Sequence, residues 1–176
     1  DVYGPFPMFW KWQNPRPLSN DLFSVSCIGA TEAWIGGGMG MILHTTDGGN
    51  TWSTSKIDTA VGYIWSLRFM DSRIGWAASG NKILRTEDGG RLWQLSFVET
   101  PEYPGLRAAF FLDANRAWIA INNTIKRTTD GGQSWFPEGL ISGELAYGHP
   151  LFFSDSLHGF VVSKIGWSES RTCVWK

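Results

Sequence analysis

One short phrase occurs three times in this chain. It reads Thr-Thr-Asp-Gly-Gly-Asn-Thr-Trp at 45–52, Thr-Glu-Asp-Gly-Gly-Arg-Leu-Trp at 86–93 and Thr-Thr-Asp-Gly-Gly-Gln-Ser-Trp at 128–135. Its aspartates, Asp47, Asp88 and Asp130, are spaced by 41 and then 42 residues. A second landmark keeps the step: Trp34, Trp76, Trp118 and then Phe160, each 42 residues after the last. A period of roughly 40–50 residues is the signature of a propeller, a solenoid or another array of small units.

In register on that step, each unit opens with an apolar run: 22–28, 64–70, 106–112 and 150–154. A turn of Gly, Asp, Ser or Asn follows, because these residues bond locally or accept unusual dihedrals. Then comes the strand with the aromatic landmark, a Gly- or Asn-rich turn, and a third strand at 41–45, 82–86 or 124–128. The Asp-Gly-Gly turn leads into a fourth strand at Trp52, Trp93 or Trp135. Short strands at even spacing with turn residues between them mean an all-β chain. Four strands per unit is the blade of a β-propeller. The expected fold is therefore an all-β propeller of about four blades in a single domain over 1–176. The repeats run at about 21–58, 63–99, 105–139 and 148–176, the last completed by 8–14. In that arrangement the segment Phe9-Trp10-Lys11-Trp12-Gln13 supplies the missing outer strand of the last blade. Closure of this kind removes exposed sheet edges.

Eleven tryptophans and eleven phenylalanines supply large groups to cement thin layers together. The net charge of −1 argues against a nucleic-acid partner, which would call for a basic surplus. No C-x-x-C and no paired histidine interval exists, so no metal and no cofactor is expected. No apolar run of 18 residues appears, so no membrane span is expected. The chain begins at Asp1, and the expectation is an extracytoplasmic protein whose leader has been removed. Cys27 and Cys173 lie near opposite ends; ring closure would allow a bridge, but two buried free thiols are the expectation.

The stretch Ile42-Leu43-His44-Thr45-Thr46-Asp47-Gly48-Gly49-Asn50-Thr51-Trp52 resembles the Asp-box (BNR) repeat shared by sialidases and sortilin-type propellers. It is more closely similar to the photosystem II stability/assembly factor-like propeller, whose repeats pair a Gly-Trp-Ala strand with this turn. Gly75-Trp76-Ala77 matches that pairing, as does Trp12-Gln13-Asn14-Pro15 near the start. The resemblance implies a non-catalytic scaffold or assembly factor that binds a protein. Its Asp-box side implies the alternative, a glycan-binding or sialidase-like protein. The chain departs from the family, whose propellers usually have more blades, which leaves open a fragment, a ring completed by a partner, or self-association to a larger ring.

Each Asp-Gly-Gly turn has a structural task. The Asp accepts backbone N–H groups, the glycines supply positive φ, and the Trp plugs the neighbouring strand. Asp47, Gly48, Gly49 and Trp52, then Asp88, Gly89, Gly90 and Trp93, then Asp130, Gly131, Gly132 and Trp135 are assigned on that basis. One Asp per turn falls far short of a calcium cage. A sialidase would need converging arginines and a nucleophile pair; Arg85 and Arg127 share one repeat position with His44 and read as solvated strand faces. The starts of the inner strands behave differently. In register they are Phe23, Trp65, Arg107 and His149, while positions two and four further on stay apolar. They share one face with the loops 36–40, 79–81, 121–124 and 164–170, the last bringing Trp167. Aromatic and arginine side chains are the commonest interface anchors, so this rim is the expected partner site. Asn122-Asn123-Thr124 reads as a glycosylation sequon.

Overall fold

A computed structural model describes residues 20–57, 62–98, 106–141, 144–145, 151–165 and 169–175. They form four antiparallel sheets. Blade 1 holds β1 (Leu22–Ile28), β2 (Glu32–Gly37), β3 (Met41–Thr45) and β4 (Ser53–Lys56). Blade 2 holds β5 (Ile64–Phe69), β6 (Gly75–Ser79), β7 (Lys82–Thr86) and β8 (Gln94–Val98). Blade 3 holds β9 (Leu106–Phe111), β10 (Ala117–Ile121), β11 (Thr124–Thr128) and β12 (Phe136–Leu140). In all three the strands pair in chain order, an antiparallel meander. Burial falls from the centre outward. All of β6 and β10 is buried, because a neighbouring blade covers each face, whereas Ser-Thr-Ser-Lys of β4 is exposed throughout.

Blade 4 differs from its expectation. Its inner strand is broken into β13 (Glu144–Leu145) and β14 (Leu151–Phe153), both paired with the same side of β15 (Gly159–Ile165). β16 (Glu169–Trp175) pairs with the other side of β15 from Gly159↔Trp175 to Ile165↔Glu169. The segment 164–170, expected to be a long loop, is thus mostly the arms of a hairpin, because regular pairing satisfies more backbone groups than a loop does. The proposed closing strand at 9–13 lies outside the described residues, as does Trp12-Gln13-Asn14-Pro15.

The landmark aromatics make the layers between blades. Trp34 stacks on Phe69 of blade 2 with centroids 3.8 Å apart, inside a cluster with Ile42, Ile64 and Leu67. Trp76 faces Phe111 of blade 3 at 5.5 Å, and Trp118 stacks on Phe153 of blade 4 at 4.0 Å. Trp34, Trp76 and Trp118 are all fully buried. Their indole N–H groups donate to the carbonyl of Gly89, the carbonyl of Asp113 and the Glu138 carboxylate. Among the described residues three such layers are filled, between blades 1 and 2, 2 and 3, and 3 and 4.

Two expectations are corrected here. Cys27 is a free thiol as expected, but it is exposed, since among the described residues no blade packs on that side of β1. His44 and Arg85 are half-buried against the landmark rings: His44 stacks on Trp34 at 4.4 Å, and the Arg85 guanidinium lies over Trp76 at 5.5 Å. Arg127 pairs at 3.1 Å with Glu138, the carboxylate that holds the Trp118 indole. The repeat position thus supports the landmark tryptophan from behind.

Candidate functional site

Each inner strand carries a defect at its start. In blade 1, Leu22 lies opposite Gly37 and Ser24 opposite Gly36, which leaves Phe23 without a partner in the ladder. In blade 2 the same slip between Ile64 and Ser66 leaves Trp65 over. In blade 3 Ile121 faces Leu106 and Ala120 faces Ala108, so Arg107 is the extra residue. These are β-bulges, one residue in excess on the inner strand. A bulge takes its residue out of the regular pleat. The three positions that vary between repeats are the three bulge positions. In blade 4 the corresponding residue, His149, lies outside the described residues, as does Trp167.

The rim is built mainly at the junction of blades 1 and 2. The Phe23 ring meets the Tyr63 ring with centroids 4.6 Å apart at 51°. Phe23 is 42% exposed and Tyr63 61%. Beside them is the 3-10 turn Gly38–Gly40, at whose centre Met39 takes φ 53° and is exposed. The Gly38 N–H donates to Asp21 O and the Gly40 N–H to Gly62 O, both at 3.0 Å, which ties this turn to the starts of β1 and β5. Gly36 is required for the approach: a Cβ there would sit 2.6 Å from both Ile64 Cγ2 and Ser24 Oγ. Trp65 is half-buried, packs on the layer between blades 2 and 3, and donates its indole N–H to Gly80 O at 3.3 Å. Arg107 is half-buried on the third bulge. Tyr63 and Met39 escape the repeat analysis because they sit just before the strand or within a glycine turn. The run Gly36-Gly37-Gly38-Met39-Gly40, an exposed Met inside glycines, was the available signal.

The Asp-Gly-Gly turns occupy the opposite end of the blades. Their internal bonding repeats. The hydroxyls of Thr45, Thr86 and Thr128 donate to Asp47, Asp88 and Asp130 at 2.8, 2.9 and 2.8 Å. The same hydroxyls accept the N–H groups of Gly49, Gly90 and Gly132. The carboxylates in turn accept the N–H groups of Thr51, Leu92 and Ser134. The glycines take φ between 71° and 89°. Bonds from the Thr51 hydroxyl and N–H hold Asp47 down to a pKa of about 2, and the Ser134 N–H does the same for Asp130. Asp88 is lowered too, chiefly by the Leu92 N–H. Each turn docks on the first turn of its own blade through Gly48 N–H to Thr31 O, Gly89 N–H to Arg73 O and Gly131 N–H to Asn115 O. The indoles of Trp52 and Trp93 donate to Gly49 O and Gly90 O. The acceptors of each carboxylate are thus largely used within its own turn. Among the described residues no group of three potential metal ligands occurs, and no helix is long and apolar enough to cross a membrane.

No protein-family model matches the chain. No curated protein matches it. Solved structures do. The chain is similar to YCF48 bound to D1 peptide, with 26% identity and a TM-score of 0.68 over 89% of this chain and 52% of that one. It is similar to YCF48 from Cyanidioschyzon merolae, with 21% identity and a TM-score of 0.67 over 92% of this chain and 55% of that one. It is also similar to the GH74 enzyme of Niastella koreensis, with 18% identity and a TM-score of 0.62 over 80% of this chain and 26% of that one. The likeness to blades of both an enzyme and YCF48 establishes a β-propeller fold. The chain spans about half the length of the YCF48 structures.

Proposed function

We propose that this chain is a non-catalytic β-propeller scaffold of the photosystem II assembly factor-like type, which docks a protein segment on its bulged rim. The observation that carries the reading is the exposed pair of Phe23 and Tyr63, their rings 4.6 Å apart, next to the turn that exposes Met39, at the end of the blades where Phe23, Trp65 and Arg107 occupy the bulges. An exposed aromatic cluster is the usual anchor of a protein interface. The similar YCF48 structure is one bound to a peptide, which supports the same class of ligand. The Asp-Gly-Gly turns offer no comparable surface, since their polar groups are engaged locally.

An array of overlapping peptides, with soluble oligosaccharides as a second arm, tests the reading. Peptide binding is expected. The pair Phe23→Ala and Tyr63→Ala should weaken it by at least about 2 kcal/mol, as removal of central aromatic anchors does. The pair Asn50→Ala and Arg91→Ala, on the opposite face, should leave it unchanged. Binding confined to the sugars, or equal peptide binding by both double variants, would refute the rim as a protein site.

A further inference from the structure

The turn between the second and third strands holds an outlier in blade 1. In blade 2 that turn is Gly80-Asn81, and Gly80 takes φ 58°. In blade 3 it is Asn122-Asn123, and Asn122 takes φ 54°. Glycine and asparagine enter this left-handed region at the least cost. Blade 1 places Met39 there, at φ 53°, in the longer turn Gly38–Gly40. A bulky residue in that conformation stores backbone strain, and such strain collects at ligand clamps and switch regions. The Met39 side chain is 63% exposed, and the glycines on both sides of it bring no side chain to shade it. Those glycines also fix it beside the rim. A Cβ on Gly38 would stand 3.8 Å from Tyr63 Cδ1, and the Gly40 N–H is bonded to Gly62 O. Met39 thus lies between two residues held against the segment that carries Tyr63, whose ring meets Phe23.

We propose that Met39 is a reversible oxidation site, and that its sulfoxide releases the segment docked on the rim. The second half rests on the rim reading given above; the first half does not. The oxidant is hydrogen peroxide. A lone pair of the Met39 sulfur attacks one peroxide oxygen, the O–O bond breaks, an S–O bond forms and water leaves. The sulfur gives up two electrons and the peroxide takes them. A sulfoxide reductase reverses the change, since its thiols take the oxygen away as water and are left as a disulfide. The thioether is apolar and polarizable and packs well on aromatic rings, whereas the sulfoxide is polar and chiral. Its oxygen must shed water before a partner can cover it, which costs free energy unless the partner supplies a donor. Access selects the residue. Of the other described methionines, Met41 is half-buried, and so is Met70, which packs on the layer between blades 2 and 3. The exposed Cys27 thiol also reacts with peroxide, so it is capped beforehand in the test.

The chain is treated with iodoacetamide, then with dilute hydrogen peroxide, and digested at intervals for peptide mass. Met39 should reach the sulfoxide at least about tenfold faster than Met41 and Met70. In parallel, the tightest peptide from the overlapping array is titrated into the same samples. Oxidation should weaken it at least about tenfold, and methionine sulfoxide reductases A and B should restore it. Met39→Leu should hold its own affinity through peroxide. Met39→Gln, polar as the sulfoxide is, should bind weakly with no peroxide at all. The melting temperature should stay the same on oxidation, since the side chain is exposed; a fall would mean unfolding and would overturn the release. Equal oxidation of the three methionines would overturn the modification site. Unchanged binding by the oxidised chain would overturn the release, as would a Met39→Leu chain that loses affinity in peroxide as the unsubstituted one does. A chain that binds no peptide before peroxide would instead refute the rim itself, and the mass ratio would still decide the oxidation site.

Discussion

Thr128 is 0% exposed, and its one hydroxyl donates to Asp130 and accepts from Gly132 N–H. Valine has nearly the same shape and can do neither. Thr128→Val should cost about 1–3 kcal/mol, the penalty of a buried backbone N–H left without a partner, read as a lower unfolding midpoint in urea. The aspartates add a pH dependence whose sign is fixed. Asp47 and Asp130 are held at about 2 in the fold against an ordinary 3.8. Their contribution is complete above the ordinary value and is lost as the pH falls toward the folded one. Stability should therefore drop between about pH 4 and pH 2. Asp47→Asn together with Asp130→Asn should flatten that slope, since the amide keeps a carbonyl acceptor but no longer ionises. Melting temperatures at the two ends of the window measure it, and an unchanged slope would remove these turns from the acid response.

At the scale of elements, Gly36 shows how close β5 comes to β2. A methyl group there would meet Ile64 and Ser24 at distances real Cβ atoms do not reach. Gly36→Ala should cost roughly 1–3 kcal/mol by overpacking, detectable in a thermal melt. It should also disturb the rim, because the turn holding Met39 follows directly on β2. The strands themselves were legible in the sequence, since each is short, apolar and bounded by turn residues at a constant step. The divergence of Phe23, Trp65 and Arg107 between repeats was legible. That they are bulges was not, because an extra residue in one strand is defined only by what lies opposite it. The broken inner strand β13–β14 and the long β15–β16 hairpin were hidden for a related reason. Blade 4 carries no Asp-Gly-Gly landmark of the kind that sets the register in blades 1–3, and β13 and β14 both pair with β15. Burial of Cys27 was inferred from residue type alone, and what decides it is whether a neighbouring blade covers that strand.

At the scale of the molecule, the described residues pack in three layers, each between blades adjacent in the chain, so stability is close to a sum of blade and layer terms. Such an arrangement can open at one layer without opening at the others. Trp118 is the test, because it is fully buried, stacks on Phe153 and binds Glu138, all within the last layer. Trp118→Ala should remove about 3–5 kcal/mol, the usual cost of deleting a buried aromatic. The loss should not spread evenly. Amide hydrogens of β14 and β15 should exchange much faster, while those of β6 and β2, two and three layers away, should keep their protection. Trp34→Ala should show the mirror pattern, loosening blade 1 before blade 3. If both variants accelerated exchange equally in all blades, the layers would be one cooperative unit. The nearest-neighbour account of this propeller would then be wrong.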